Sequence, residues 1–173
     1  MSAFCAGLTQ NFTDEANIIN AELLCRERGI ELTRKESTAH GTFSSQISAT
    51  VSGDGKTCSA SGTVFGKVMP RLIKLGEYRT EAFMDGNLLV FLHQDVPGII
   101  GYVGSVLAEE KVNIAQMAVG RQGHEAGGSA IGVLNLDSGA SDKALSRVIE
   151  NEGIESARLI KLPQAGDLPD WLA

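Results

Sequence analysis

The stretch that decides the fold runs Leu88-Leu89-Val90-Phe91-Leu92-His93-Gln94-Asp95-Val96-Pro97-Gly98-Ile99-Ile100. Its apolar residues at 88–92 are typical of a buried strand. Pro97 favours the first turn of a helix, because the N–H that proline lacks would have no intrahelical partner there. The stretch therefore predicts a strand that turns through Asp95 into a helix.

Downstream of this stretch, the apolar residues alternate between helical and strand-like spacing. The predicted elements are a helix ending near Lys111, a strand at 112–119, a strand at 130–136, a helix capped by Ser141-Asp142, and a strand at 154–162. The two strands that flank the glycine-rich loop 120–128 are expected to pair as a hairpin. The order is βαββαβ, which predicts a ferredoxin-like fold with two helices on one face of a four-stranded antiparallel sheet.

Upstream, the sequence predicts one helix followed by strands. Asp14-Glu15 precedes apolar residues at helical spacing, and Gly29 can close that helix in a left-handed conformation. Gly53-Asp54-Gly55-Lys56 tolerates positive φ and predicts a tight hairpin turn. The other predicted segments are strands at 30–38, 43–52 and 57–65, a short strand or turn at 72–75, and a strand at 78–83.

The turn signal Asp85-Gly86-Asn87 separates the two halves of the chain. The predicted fold class is therefore α+β, with two small domains of which the second is ferredoxin-like. The expected boundaries are a first domain at 1–84, a second at 85–163 and an extended tail at 164–173.

Composition limits the classes of partner. The chain has 173 residues, 43% of them hydrophobic, and a formal net charge of −6, which opposes binding to nucleic acid or to an anionic membrane surface. No apolar run approaches the roughly 20 residues that cross a bilayer. The first residues lack the pattern of a signal peptide. These features predict a cytoplasmic protein.

The metal-binding and nucleophilic residue types are scattered. Cys5, Cys25 and Cys58 form no CxxC pair, which argues against a zinc site. His40, His93 and His124 are equally far apart, and the sequence indicates no catalytic residues and no metal.

The turn after the first strand of the second domain carries the candidate ligand site. A helix that begins at Pro97-Gly98 exposes N–H groups that attract a carboxylate. Asp95 can accept hydrogen bonds from an ammonium, and Asn113 offers an amide that both donates and accepts. These groups together fit an amino acid. The competing interpretation is structural: Asp95 only caps the helix, Pro97-Gly98 only turns the chain, and Asn113 only satisfies backbone groups.

The run His93-x-Asp95-x-Pro97-Gly98-x-Ile100, followed at helix length by Val112-Asn113-Ile114-Ala115, resembles the ligand signature of ACT domains in D-3-phosphoglycerate dehydrogenases. The resemblance implies that L-serine binds between two ACT domains. His93 and Asp95 would come from one subunit and Asn113 from the other. Asp95 stands where some members have Asn. The implied serine-binding residues are His93, Asp95, Pro97, Gly98, Ile99, Asn113 and Ile114.

The first domain is similar to the intervening, or allosteric substrate-binding, domain of the long-form enzymes. The matching segments include Asn17-Ile18-Ile19-Asn20-Ala21, Gly62-Thr63-Val64-Phe65-Gly66 and Pro70-Arg71-Leu72. Arg71, Lys74 and Arg79 lie close in sequence and are candidates for binding a phosphorylated hydroxy acid. Ordinary solvated surface is the competing interpretation, favoured for Lys74 and Arg79, whereas a binding role is favoured for Arg71.

The dehydrogenase chemistry itself is not expected in these residues. Gly98-x-x-Gly101-x-x-Gly104 does not have the GxGxxG spacing of a dinucleotide site. The resemblance therefore implies that NAD binds elsewhere in a parent enzyme, that this chain carries no cofactor of its own, and that it is a fragment or a separate regulatory subunit.

The leading hypothesis is a regulatory and oligomerisation segment of an NAD-dependent phosphoglycerate dehydrogenase of L-serine biosynthesis. Its expected partners are L-serine, other copies of itself through the ACT domains, and the parent catalytic domains. One alternative is the regulatory chain of an iron–sulfur L-serine dehydratase. The other is an oligomerisation module that binds no small molecule.

Overall fold

The structure is a computed structural model that describes residues 1–10, 12–38, 42–66, 68–123, 127–164 and 166–167. The chain divides into two compact units. One contains the described residues before 40 and after 165, and the other contains the described residues from 40 to 165. Both sheets lie in the second unit, so the described residues do not separate into compact units at the expected domain boundary, 84–85. That boundary stays a prediction.

The first unit contains two short helices, α1 (Ser2–Thr9) and α2 (Ala21–Glu27). Their shared core is formed by the buried residues Cys5, Ala6, Ala21 and Cys25. Gly29 has a φ of 73° just after α2, which confirms the predicted helix end. Helix α1 has no counterpart among the elements predicted from the sequence.

The predicted start of α2 was too early. The side chain of Asn17 accepts the backbone N–H groups of Ile19 and Asn20 at 2.9 and 3.2 Å, and the side chain of Asn20 accepts the N–H of Asn17 at 2.9 Å. These bonds give the chain a local turn in place of a helix. The strand predicted at 30–38 was also wrong, since these residues have no regular secondary structure.

The first sheet is an antiparallel meander of β1 (Ile47–Gly53), β2 (Lys56–Phe65), β3 (Met69–Leu75) and β4 (Tyr78–Phe83). Gly53 pairs with Lys56, and the two residues between them have positive φ, 50° at Asp54 and 72° at Gly55. A two-residue turn with positive φ at both positions matches the twist of a hairpin. The predicted hairpin is therefore confirmed.

The second sheet contains β5 (Asn87–Gln94), β6 (Ile114–Arg121), β7 (Ser129–Leu136) and β8 (Ile154–Lys161) in the spatial order β6-β7-β5-β8. Helices α3 (Ile99–Glu109) and α4 (Asp142–Ile149) connect the strands. The Ser141 hydroxyl accepts the N–H of Ala144 at 3.1 Å, as a helix cap does. The predicted βαββαβ order and the β6–β7 hairpin are confirmed, and with them the α+β fold class.

Both faces of the second sheet are covered. On one face, Leu134 and Leu136 of β7 pack with buried residues of both helices. On the other face, Ile131 and Val133 pack with Leu72 of the first sheet. The sequence predicted only the helical cover. Because alternate residues of a strand point to opposite faces, the nearly continuous burial of β7 follows from this two-sided cover.

Polar contacts also join the two sheets. The Asn135 side chain donates to the backbone oxygen of Phe83 at 3.2 Å, and the Gln116 side chain donates to that of Glu81 at 3.0 Å. Gly120 is needed for the same approach, because a Cβ there would lie 1.9 Å from the backbone oxygen of Arg79.

None of the helices in the described ranges is long and apolar enough to cross a membrane. The predicted tail at 164–173 lies mostly outside the described residues.

Candidate ligand-binding site

The ligand loop, residues 93–98, is held in place by its neighbours on both sides. The backbone N–H of Gln94 donates to the oxygen of Gly153, and that of Asp95 donates to the oxygen of Gly128, each at 2.8 Å. The connections before β7 and before β8 therefore set the position of the loop. Its shape follows from these bonds and from the turn at Pro97-Gly98.

Helix α3 begins without a side-chain cap. Gly98 is its N-cap residue, with a φ of 99°, and no side chain bonds to the first turn. The first intrahelical bond runs from the N–H of Tyr102 to the oxygen of Gly98 at 2.9 Å. The preceding N–H groups of the first turn have no partner within the helix, so they are donors for an anion. The competing interpretation of Asp95 as a helix cap is therefore wrong.

His93 presents an acceptor that has no partner. Only 2% of this residue is exposed, and its Nδ1 lies 2.7 Å from the backbone oxygen of Gln94. Because a carbonyl oxygen only accepts, Nδ1 must carry the hydrogen, which leaves Nε2 of the neutral ring as an acceptor. Nε2 is buried and has no hydrogen-bond partner in the described part of the chain. A buried acceptor of this kind is costly unless a ligand or a bound water molecule supplies a donor.

Asp95 is the charged group of the loop. Its side chain is 16% exposed, and its Oδ2 lies 2.6 Å from Nε of Arg121. This oxygen nevertheless has no hydrogen bond of acceptable geometry among the described residues. The two groups therefore form an ion pair, but the N–H of Arg121 does not point at Oδ2 as a hydrogen bond requires.

A cleft of about 490 Å³ opens beside the loop and the start of α3. Its lining residues are Gln94, Val96, Pro97, Gly98, Ile99, Asn151, Glu152 and Gly153. The predicted site residues Pro97, Gly98 and Ile99 thus line a cavity of the size that small ligands occupy. His93 and Asp95 are not part of its lining.

Asn113 lies at the other end of the sheet. His93 pairs with Ala130, which pairs with Arg121 at the end of β6. Asn113 directly precedes the start of β6. At about 3.3 Å per residue, the eight residues from Arg121 back to Asn113 place the two positions roughly 25 Å apart along the strands. A single chain therefore does not bring Asn113 and its neighbour Ile114 to the ligand loop.

Asp137 fixes the side chain of Asn113. The Asn113 Nδ2 donates to Asp137 Oδ2 at 2.7 Å, and the Asp137 N–H donates to the backbone oxygen of Asn113 at 3.1 Å. Since the amide nitrogen is engaged in this bond, the amide oxygen is the group that Asn113 can offer to a ligand.

The three anion candidates are on one sheet but have different surroundings. Lys74 and Arg79 are exposed and stand directly opposite each other on β3 and β4. Arg71 pairs with Phe83, and its guanidinium carbon lies 4.0 Å from the centre of that ring. No carboxylate of the described residues is in ion-pair contact with any of the three cations.

Sequence reasoning missed Arg121 and Asp137, each of which contacts a predicted site residue. Arg121 is 26 positions from Asp95, and Asp137 is 24 positions from Asn113. Only the strand register brings these pairs together, and no local pattern signals them. Among the described residues, no group of three or more His, Cys, Asp or Glu side chains could hold a metal ion.

Two domain-family models match the chain. Residues 1–76 match the model described as the D-3-phosphoglycerate dehydrogenase intervening domain. Residues 87–153 match the ACT domain model, which covers the second sheet, its helices and the ligand loop. By class, the chain is therefore an ACT-domain protein.

Three relatives extend this result to the particular family. D-3-phosphoglycerate dehydrogenase of Bacillus subtilis is 34% identical over 147 residues, which are 85% of this chain and 28% of that protein. The same enzyme of Archaeoglobus fulgidus is 32% identical over 87% of this chain and 28% of its own length. That of Synechocystis is 32% identical over 90% of this chain and 28% of its own length. The chain therefore matches the regulatory region of D-3-phosphoglycerate dehydrogenases. It spans little more than a quarter of the length of these relatives.

Proposed function

We propose that this chain senses L-serine and assembles subunits for an NAD-dependent D-3-phosphoglycerate dehydrogenase of L-serine biosynthesis. The observation that carries the proposal is that the ligand loop brings together buried acceptors and N–H donors that have no partners of their own among the described residues. His93 Nε2 and Asp95 Oδ2 are buried acceptors without hydrogen-bond partners in the described chain. The adjacent helix start supplies unused donors.

These groups complement the two ends of a free amino acid. The ammonium group has three donors, which suit the acceptors of His93 and Asp95. The carboxylate suits the N–H groups and positive end of α3. The serine hydroxyl can donate to the amide oxygen of Asn113, which Asp137 leaves available.

The distance between Asn113 and the loop supports assembly. If both contact one serine, Asn113 must come from a second copy, because within one chain the two positions are roughly 25 Å apart along the strands. Strand β6 is an edge of its sheet. It also exposes Met117 and Val119, each to 47%, so that this edge offers apolar surface for a second copy to cover. A two-fold axis beside β6 would create two equivalent sites.

Calorimetric titration of L-serine into the chain tests the proposal. We expect saturable heat, a rise in melting temperature, and weakening of affinity by about 10- to 100-fold in Asp95→Ala for a lost charged hydrogen bond. Asp142→Ala is the matched control, since it removes an exposed carboxylate from the first turn of α4. Absence of heat and of a thermal shift at millimolar serine would refute serine sensing.

Molecular mass, measured with and without serine, tests the assembly separately. A chain that is dimeric or larger in both conditions but binds no serine would be an oligomerisation module only. A monomer that binds serine tightly would contradict the shared site. The iron–sulfur dehydratase alternative is less favoured, because the relatives named above are all dehydrogenases.

A second binding function is favoured by the cations of the first sheet. Like charges directly opposite each other on neighbouring strands destabilise a sheet, and Lys74 and Arg79 stand in this arrangement. We propose that an anion such as a phosphorylated hydroxy acid relieves this repulsion. Arg71 adds a third cation, whose guanidinium lies over the rings of Phe65 and Phe83. Titration with inorganic phosphate, compared between the natural chain and Lys74→Gln, tests this role. Equal phosphate affinity of the two proteins would exclude it.

The remaining expectations stay predictions. They are the cytoplasmic location, the absence of nucleic-acid and membrane partners, the contact with parent catalytic domains, and the binding of NAD outside these residues.

A further inference from the structure

Arg121 is the cation that accompanies the ligand loop. It is the last residue of β6, and its side chain is 47% exposed. Its Nε lies 2.6 Å from Oδ2 of Asp95, whose side chain is 16% exposed. Strand pairing fixes the contact, because Arg121 pairs with Ala130, which in turn pairs with His93. The sheet therefore places Arg121 level with His93, which is two residues before Asp95.

The ion pair balances the charge of Asp95 but leaves Oδ2 able to accept a further hydrogen bond. Asp95 Oδ2 is buried and makes no aligned hydrogen bond to any described residue, although Arg121 is within ion-pair distance. The carboxylate can therefore still accept a donor from a ligand. Its charge, however, is already matched by the guanidinium.

A purely cationic ligand meets a penalty at such a site. Its ammonium would approach Asp95 while Arg121 is present, so two positive groups would share one carboxylate. Like-charge juxtaposition in a partly desolvated site costs affinity and is a common means of rejecting wrong ligands. A ligand that brings its own carboxylate restores the balance, because two positive and two negative groups are then present.

We infer that Arg121 is a specificity-determining residue, which restricts the loop to ligands that carry both an ammonium and a carboxylate. This inference rests on the proposed function, since it concerns the same site. It adds a basis for selection, because amines of the same size that lack a carboxylate are excluded. The guanidinium acts through its charge, with or without direct contact to the ligand carboxylate.

Calorimetry with L-serine and with ethanolamine tests the inference. Ethanolamine has the ammonium and the hydroxyl of serine but no carboxylate, and its amine is protonated at pH 8. The natural chain is expected to prefer serine strongly. In Arg121→Gln, the serine-to-ethanolamine affinity ratio should fall by about tenfold or more, with ethanolamine binding more tightly than before.

Arg147→Gln is the matched control. Arg147 also forms an ion pair of 2.6 Å, but with Glu109 at the far end of α3. The variant changes net charge by the same amount as Arg121→Gln. Its serine-to-ethanolamine ratio should equal that of the natural chain, because an ion pair at the opposite end of the helix does not face the loop.

The outcomes separate this inference from the proposed function. If the natural chain does not bind serine, the proposed function fails and the role of Arg121 fails with it. If serine binds but the ratio in Arg121→Gln is unchanged, serine sensing stands and Arg121 has no part in specificity. Should Arg121→Gln lose its circular dichroism signal of folded protein, Arg121→Lys decides: it keeps the charge, so a retained preference for serine supports the inference and a lost preference overturns it.

Discussion

The hydroxyl oxygens of Tyr78 and Ser129 lie 2.6 Å apart, and this hydrogen bond joins the first sheet to the strand beside the ligand loop. Ser129 pairs with Gln94 at the end of β5. The preceding residue, Gly128, accepts the backbone N–H of Asp95 at 2.8 Å. Tyr78 therefore supports the ligand loop from outside the ACT domain.

We expect Tyr78→Phe to weaken L-serine binding by about 2- to 10-fold, because a lost hydrogen bond of this kind costs about 0.5–1.5 kcal/mol. Tyr102→Phe is the matched control. Its hydroxyl donates to the backbone oxygen of Arg147, also at 2.6 Å, but it joins α3 to the end of α4. Calorimetry should show the loss of affinity in the first variant alone. Equal affinities in both would separate the first sheet from serine binding.

The close approach of the two sheets depends on Gly120. A Cβ at this position would lie 1.9 Å from the backbone oxygen of Arg79, and backbone cannot move aside as a flexible side chain does. We expect Gly120→Ala to destabilise the chain by about 1–3 kcal/mol, as overpacking does. Gly53→Ala is the control, since nothing lies within 4 Å of a Cβ there. Urea unfolding measures both, and an unchanged midpoint for Gly120→Ala would mean that the sheets do not pack in this way.

The second half of the fold was predictable because its signals are local. The spacing of Ile99, Val103 and Val106 indicates a helix, and Ser141 caps the next helix as its residue type predicts. The packing of the first sheet on the second was not predictable. Leu72 and Val133 meet only after both sheets have formed, and no short pattern in either segment indicates the other.

The ligand loop shows the same division. Pro97 and Gly98 mark the turn by residue type, and the structure places both beside a cleft. The partner of Asp95 depends on the register between β5, β7 and β6, and this register cannot be counted from the sequence of one strand. The helix predicted to end near Gly29 begins later than its apolar spacing indicates, because asparagine side chains bond locally to the backbone before Ala21.

The three thiols are expected to differ in reactivity. Cys5 and Cys25 are buried, whereas Cys58 is exposed. Burial, together with the neighbouring Cys25 thiol, raises the pKa of Cys5 to about 11 from 9.0. Because the thiolate is the reactive form, a thiol reagent at pH 8 should label Cys58 in the folded chain and all three cysteines in denaturant. Rapid labelling of Cys5 without denaturant would contradict its burial.

The raised pKa of Cys5 also gives stability a pH dependence. The folded thiol keeps its proton between about pH 9 and 11, whereas the unfolded thiol ionises there. The unfolded state then binds fewer protons, so the free energy of unfolding should fall as pH rises through this window and should be unaffected below it. Cys5→Ala should show a shallower decline than the natural chain in urea unfolding at pH 9, 10 and 11. Parallel declines would assign the effect to other groups.

Asp137 is expected to act on serine binding through Asn113. The 2.7 Å bond to Asn113 Nδ2 holds the amide so that its oxygen is free. Asp137→Ala should leave the fold intact, because Asn113 and Asp137 are exposed. It should weaken serine binding by about 3- to 10-fold, since the amide must then be ordered by the ligand alone. Asp137→Asn keeps an acceptor oxygen at this position and should recover most of the affinity. A full loss in both variants would point to the negative charge of Asp137, and no loss in Asp137→Ala would remove the residue from the site.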